Sequence, residues 1–311
     1  MAKPLISVVI PTQRRPGPLD IASSSILRQQ GIDFDRLELV IADNDATPSA
    51  RILAERLAVQ APFRVVYVHE PRPGVTYVRN AAMAAAKGDL IAFLDDDEEA
   101  PPHWLAELLS VMDRYKADVV FGPVRGRAPD SVKQHRVYLE QFFSRLGPEE
   151  TGLLDGFYGC GNSLVRRASL PDPTQPFDML RNKTGGEDDL LFGGMKNRGA
   201  VFAWAADAWV WEDPAPERLT LAYTLRRAFA YGQGPAAVDA QAKKWSGVAY
   251  WMVTGVAQMI VFGALAAIKC AVRSPNRAYT LDRAARGLGK VLWLRPFKIE
   301  FYGQAAPRAG A

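Results

Sequence analysis

Through the first 125 residues, short apolar runs alternate with segments of helical period. LISVVI (Leu5 to Ile10), LELVIA (Leu37 to Ala42), RVVYVHE (Arg64 to Glu70), LIAFL (Leu90 to Leu94) and DVVFG (Asp118 to Gly122) have strand length and β-branched character. Residues 19–29, 49–60, 76–87 and 102–115 place apolar side chains at helical spacing. Pro11 predicts the close of the first strand, and Lys87-Gly88 a helix end with glycine just beyond it. These strands are apolar along their whole length instead of at alternate positions, so both faces of the sheet must be covered. The pattern predicts a doubly wound, mostly parallel α/β sheet. Such sheets collect ligands at the carboxyl ends of their strands. The residues after each strand are therefore where chemistry belongs.

Strand one leads into Pro11-Thr12-Gln13-Arg14-Arg15, strand two into Asp43-Asn44-Asp45 and strand four into Asp95-Asp96-Asp97-Glu98-Glu99. Five successive carboxylates leaving a buried strand repel one another unless a cation intervenes. Hard oxygen donors at that density suit Mg²⁺ or Mn²⁺, completed by substrate phosphates. Asp95 to Asp97 are read as metal-binding, and Glu98 and Glu99 as a solvated helix start helped by the N-terminal dipole. Asp43 and Asp45 fit two uses, as ordinary turn residues or, opposite Thr12 and Arg15, as acceptors for a base N–H. A second acidic group, Thr184-Gly185-Gly186-Glu187-Asp188-Asp189, precedes Leu190-Leu191-Phe192. It serves either as a carboxylate base or as a plain first helical turn. No GxGxxG follows strand one and no GxxxxGK[ST] occurs, which disfavours dinucleotide and P-loop enzymes. Phosphates here must be held by metal and arginine.

Composition narrows the class. The chain has 311 residues, 48% hydrophobic and 23% charged, ordinary for a globular protein and wrong for a disordered one. Cys160 and Cys270 lack CxxC spacing, and His69, His103 and His135 are scattered, so carboxylates must carry any metal. The net charge of +4 is uneven: from Lys269 onward nine Lys/Arg stand against two Asp/Glu, or +7, leaving −3 for the remainder. Ahead of that basic tail, Trp245 to Ile268 runs 24 residues without a charge, about 36 Å as a helix and enough for a hydrocarbon core of roughly 30 Å. Trp245, Tyr250 and Trp251 cluster at its start, and Gly247, Gly255 and Gly263 recur every eight residues, a spacing that permits close helix packing. The stretch is either a buried core helix or a membrane-associating one. Basic residues on both sides favour a hairpin, re-entrant or in-plane helix over a single span. Residues after Pro275 predict a basic amphipathic helix with Leu281, Ala284, Leu288, Val291 and Leu292 on one side, suited to a membrane surface and not to nucleic acid. No secretory leader is expected, since Met1 to Pro4 runs directly into strand pattern.

SVVIPTQRR, LVIADND, PGVTYVRNAAMAAAKGDLIAFLDDD, YGCGNSLVRR and GGEDDLLFGGMKNRG occur in order. Together they resemble the successive signatures of the inverting nucleotide-sugar glycosyltransferases of family 2, with the GT-A fold. ADND in place of DDGS resembles the exopolysaccharide-synthesis members, succinoglycan-type transferases among them. The likeness covers roughly residues 5–235. It implies a donor site of Pro11, Thr12, Arg15, Asp43, Asp45 (with Asn44 as an alternative), Arg79, Asp95 and Asp96. It implies a Mg²⁺ or Mn²⁺ ion on Asp97 with Asp95 beside it toward the ribose, and Asp188 as catalytic base with Glu187 second. Gly159-Cys160-Gly161-Asn162 would wall donor from acceptor. Cys160 is a poor nucleophile with no histidine near it in sequence. Trp204, Trp209 and Trp211 are read as packing residues. Arg226-Arg227 serve either a phosphate or a solvated helix face. The QxxRW signature of processive synthases is absent, which favours addition of a single sugar.

The expected organisation is a nucleotide-sugar-binding half (1–125), an acceptor-side half (126–235) and a membrane-associating helical region (236–311). The expected activity is metal-dependent inverting transfer of one sugar from a nucleoside-diphosphate sugar to a lipid-linked or oligosaccharide acceptor in cell-surface or exopolysaccharide synthesis. Its expected place is the cytoplasmic face of the inner membrane, with no nucleic-acid partner. The rivals are a nucleotidyltransferase acting on a sugar phosphate and an inactive GT-A-like membrane scaffold.

Overall fold

A computed structural model describes residues 5–179, 182 and 186–299. Thr184 and Gly185 of the second acidic group, Met1 to Pro4, and residues 300–311 of the basic tail lie outside the described residues. The elements in chain order are β1 (Ile6–Thr12), α1 (Pro16–Leu27), β2 (Leu37–Asp43), α2 (Arg51–Gln60), β3 (Arg64–His69), α3 (Val75–Ala85), β4 (Leu90–Phe93) and β5 (Glu98–Glu99). They continue through α4 (Trp104–Tyr115), β6 (Val119–Phe121), β7 (Val124–Gly126), α5 (Arg136–Phe143), β8 (Gly152–Leu154), β9 (Ser163–Arg166) and α6 (Glu187–Asn197). β10 (Phe202–Trp204), β11 (Val210–Glu212), α7 (Leu221–Gln241), α8 (Trp245–Ala271) and α9 (Arg277–Val291) complete the series. Two compact units result, one from residues 5–125 with 144–213 and the other from 126–143 with 214–299.

The first unit is built on an eight-stranded sheet of order β3-β2-β1-β4-β9-β6-β10-β8, parallel except where β9 and β8 run against their neighbours. Its inner strands are buried on both faces, as whole-length apolar strands require, while the edge strands β3 and β8 stay partly exposed. Val8, Ile10, Leu39 and Ile41 pack with Leu19, Ile26, Leu57 and Trp104 on one side. Val9, Val40, Ile91 and Phe93 pack with Val78, Met83 and Phe192 on the other. Register places Thr12 beside Asp43 and Val9 beside Phe93, so the loops after β1, β2 and β4 leave the sheet side by side. A smaller sheet, β5-β11-β7, adjoins the loop after β4.

Three local expectations change. β1 continues through Pro11: the Thr12 carbonyl serves β2 and the Val9 carbonyl serves β4, so Pro11 faces the side where β4 has already ended and its missing N–H breaks no ladder. Gly88 is not a helix cap, because α3 stops at Ala85 and Ala86 is extended. Its place is set by contact instead: a Cβ there would sit 2.5 Å from the Ser7 backbone nitrogen. Glu98 and Glu99 do not begin a helix. They form β5, and α4 starts only at Trp104.

In the second unit α9 packs against both α7 and α8. The basic tail helix was expected to present Leu281, Ala284, Leu288, Val291 and Leu292. The residues it buries are Ala278, Thr280, Asp282, Gly287 and Gly289, and Leu288 is exposed. Small residues let backbones approach, so they select the contact line ahead of the larger leucines. Of the three recurring glycines in α8 only Gly255 lies under α9, where a Cβ would meet that of Lys290 at 2.7 Å; Gly263 faces open space. Of the 27 residues of α8 only Val248, Gly255 and Ala266 are buried. The core-helix alternative therefore fails. By length and composition α8 is able to cross a membrane.

Candidate active site

Two acidic clusters form at the carboxyl edge of the large sheet, each organised by an arginine. In the first, Arg15 Nη1 donates to Asp96 Oδ1 at 3.0 Å and to Asp97 Oδ2 at 2.8 Å, while Thr12 Oγ1 donates to Asp96 Oδ2 at 2.7 Å. Burial and the neighbouring Asp97 push the Asp96 carboxyl up to about 6, with Arg15 and Thr12 only partly opposing. Burial works against the charge on Arg15, but Asp96 and Asp97 outweigh it and hold the guanidinium pKa above its ordinary value. Pro11 lies half-buried immediately before Thr12.

The loop after β2 stands beside this cluster. Asp43 is buried and accepts from the backbone N–H groups of Asp45 (3.0 Å) and Ala50 (2.7 Å) and from the Tyr67 hydroxyl (2.9 Å). Its carboxylate thus organises its own loop, the turn use that its sequence position allowed. Asp45 pairs with Arg14 Nε at 2.8 Å. Asn44 donates to the carbonyls of Glu70 and Arg72 and accepts from Gly74 N–H, tying the second loop to the segment ahead of α3.

The second cluster joins residues far apart in sequence. Arg79 of α3 is buried; its Nη1 donates to Glu187 Oε1 at 2.6 Å and its Nη2 lies 3.5 Å from Asp95 Oδ1. Arg79 is therefore no surface helix cation. Its Nε is buried with no hydrogen-bond partner among the described residues. Burial lifts the Glu187 carboxyl above its ordinary range although Arg79 opposes it. Asp188 is half-buried, and its Oδ2 accepts from Cys160 N–H at 3.2 Å. The following Gly161 admits Asp95: a Cβ there would stand 2.6 Å from Asp95 Oδ2. Cys160 itself is buried, which pushes its thiol far up and keeps it protonated, so the thiol is inert.

A third set joins two residues singled out above, Glu98 and Asn162, to one that carried no signal in sequence, Arg145. Glu98 is buried and accepts from Asp95 N–H through Oε2 at 3.0 Å; Arg145 reaches Glu98 Oε1 at 2.9 Å and Glu212 Oε2 at 3.0 Å. Burial raises Glu98 well above the usual carboxylate range, with Asp95 adding to it and Arg145 opposing. Asn162, in the left-handed region at φ 55°, accepts from Trp104 Nε1 at 2.7 Å and donates to the carbonyls of Pro123 and Ala208. Arg145 sits in FFSRLGP, where nothing marks it; only the fold brings it to the acidic run. Trp204 packs in the core, and Trp209 and Trp211 meet edge to face at 5.0 Å, as expected of packing residues. Arg227 turns its Nη2 to the Tyr231 hydroxyl within its own helix.

The cations that the acidic run requires are thus Arg15, Arg79 and Arg145. The donor chemistry also fits a hard divalent ion. Asp95, Asp97 and Asp188 offer carboxylate oxygen, no imidazole stands among them, and the nearby thiol is protonated. Among the described residues no three such groups converge to enclose an ion.

A mostly parallel sheet interrupted by β9, with carboxylates at its carboxyl edge, is the architecture of GT-A glycosyltransferases. The chain belongs to Glycosyl transferase family 2, whose pattern matches residues 7–172. It is 34% identical over 302 residues, 96% of each chain, to the succinoglycan biosynthesis protein ExoM of Rhizobium meliloti (strain 1021). It is 31% identical over 169 residues, 52% of this chain and 49% of the other, to the undecaprenyl-phosphate 4-deoxy-4-formamido-L-arabinose transferase of Klebsiella pneumoniae subsp. pneumoniae. Among solved structures, the mannosyltransferase PcManGT from Pyrobaculum calidifontis in complex with GDP-Man and Mn²⁺ has the same fold, with a TM-score of 0.65 at 20% identity over 94% of this chain and 88% of that one. The protein is a glycosyltransferase, and the nucleotidyltransferase and inactive-scaffold alternatives fall away.

Proposed function

We propose that the protein moves a single sugar, with inversion, from a nucleoside-diphosphate sugar to a lipid-linked glycan during exopolysaccharide synthesis, at the cytoplasmic face of the membrane. Likeness to ExoM along nearly the whole chain supports the exopolysaccharide setting. A relative named for transfer to undecaprenyl phosphate supports the lipid-linked acceptor, and the exposed apolar α8 supports membrane association. The observation that carries the reading is Arg79, which gathers Asp95 from the loop after β4 and Glu187 from the start of α6 around one buried guanidinium. Donor-side and acceptor-side carboxylates so meet although 92 residues separate them in sequence (187 − 95).

In this reading Pro11, Thr12, Arg15, Asp43 and Asp45 shape the nucleoside pocket, with Asp96 fixing Thr12 and Arg15 from behind. Asp97 and Asp95 would hold a divalent cation, which would supply positive charge against the departing diphosphate. Arg79 adds fixed positive charge beside them. Asp188 takes the proton of the acceptor hydroxyl while that oxygen bonds to the anomeric carbon and the bond to the diphosphate oxygen breaks. Glu187 is the weaker choice of base, because its carboxylate is engaged by Arg79. Asp188→Asn tests the assignment: transfer in a radiolabelled-donor assay should fall by roughly 10²- to 10⁴-fold while donor affinity by calorimetry stays unchanged. Equal loss of donor affinity would make Asp188 structural.

A further inference from the structure

The interior of α8 turns its polar groups toward the rest of the second unit. Trp251 Nε1 donates to Asp239 Oδ2 of α7 at 3.0 Å, Gln258 Oε1 accepts from Lys290 Nζ of α9 at 2.9 Å, and Thr254 Oγ1 returns to the Trp251 carbonyl. Arg283 and Lys290 of α9 lie over the rings of Phe262 and Trp251. On the opposite side Tyr250, Val253, Ile260, Val261, Leu265 and Ile268 are exposed, Val253 to 69% and Ile260 and Ile268 to 62% each. This outer stripe runs about 27 Å at 1.5 Å per residue. Each end of the helix is basic, with Lys243 and Lys244 exposed at one and Arg273 exposed beyond Lys269 at the other.

We propose that α8 lies along the surface of an anionic phospholipid bilayer, its outer stripe among the acyl chains and its basic ends among the headgroup phosphates, and that it does not cross. This rests on the membrane association proposed above and specifies its form. A crossing helix would carry Arg283 and Lys290, which cover its middle turns, to hydrocarbon depth, and would move one basic end through the bilayer. An in-plane helix needs a charged side facing away from the lipid. Here α9 supplies that side through Arg283 and Lys290. A second copy of the chain is a poor cover for the stripe. Antiparallel pairing would set Lys243 and Lys244 against Lys269 and Arg273, and parallel pairing would set like ends together. Anionic headgroups complement both ends at once.

Cys270 is exposed at the far end of α8, and Ser246→Cys in a Cys270→Ala background marks the near end. In cells expressing the full-length chain, a membrane-impermeant maleimide should label both positions in inverted inner-membrane vesicles and neither in spheroplasts. The purified chain should sediment with phosphatidylglycerol-containing vesicles at least tenfold more strongly than with phosphatidylcholine alone. Ile260→Glu, at an exposed position, should lower that binding at least tenfold with donor affinity intact, and Lys243→Glu/Lys244→Glu should lower it without touching the apolar stripe. Labelling of one end from each side overturns the in-plane arrangement and leaves membrane association standing. A stable dimer that ignores vesicles assigns the stripe to a second copy and overturns the proposal. A monomer that binds neither vesicle removes membrane association itself.

Discussion

The two arginine-centred clusters use the same residue types and differ in what surrounds them. Arg15, Asp96 and Asp97 come from loops after adjacent strands, and the Arg15 side chain keeps 25% of its surface in solvent. Arg79 keeps 8%, and its partners Asp95 and Glu187 come from opposite halves of the first unit. The contrast separates a charge that ligand is able to reach from a charge that holds the site together. A pair with one side open to water is weakened by screening and gives way more readily than a fully enclosed one. A buried one leaves an uncompensated charge when either partner is lost.

The largest break in that comparison is on the ligand side. Asp97→Ala, or chelation of the wild type, should lower metal-stimulated donor turnover by on the order of 10²-fold or more, read as nucleoside-diphosphate release with and without manganese. Near-normal turnover would take Asp97 out of the metal site. Next comes the fixed charge. Arg79→Met should destabilise the fold by about 3–5 kcal/mol in urea denaturation, because Glu187 and Asp95 lose their counter-charge. Arg15→Met should cost less stability than Arg79→Met, because the Arg15 side chain is partly open to water that can take its place beside Asp97, and should act chiefly on donor affinity. Equal losses in the two variants would erase the distinction.

The smallest effect is a pH slope. Asp96 has its folded pKa raised to about 6 from an ordinary 3.8. Between about pH 4 and pH 6 the folded state therefore binds more protons there than the unfolded chain, so stability declines as pH rises through that window. Asp96→Asn should flatten the decline across pH 4–6 in denaturation midpoints and leave the slope above it alone. An unchanged slope would assign the titration to another group.

Much of the first unit was legible because local pattern and global fold agree there. β1, β2 and β4 are apolar along their length, and a sheet buried on both faces is the way to hide them. The same alternation places Thr12, Arg15, Asp43, Asp45 and Asp95 to Asp97 at one edge from the sequence alone. Glu98 failed as a helix start because an acidic residue reads the same in a first turn and in a buried pair; the distant Arg145 decided between them. Gly88 failed as a cap because glycine serves close contact as well as left-handed backbone, and Ser7 is the contact.

In the second unit the sequence marked α8 by its uncharged length and α9 by its charge, but not which face of α9 packs against its neighbours. Apolar periodicity reports which side chains avoid water, and backbone approach between helices obeys size instead, so Gly287 and Gly289 outrank Leu288. The fold class, the edge that carries the carboxylates and the apolar reach of α8 follow from sequence alone, since each depends on residues near one another along the chain. The partners of Arg79, the bracing of Asp95 by Glu98 and Arg145, and the inward turn of Gln258 were decided only by tertiary structure. Each joins residues tens of positions apart or depends on which neighbour burial supplies, and a charge has no preferred partner until the fold removes the water around it.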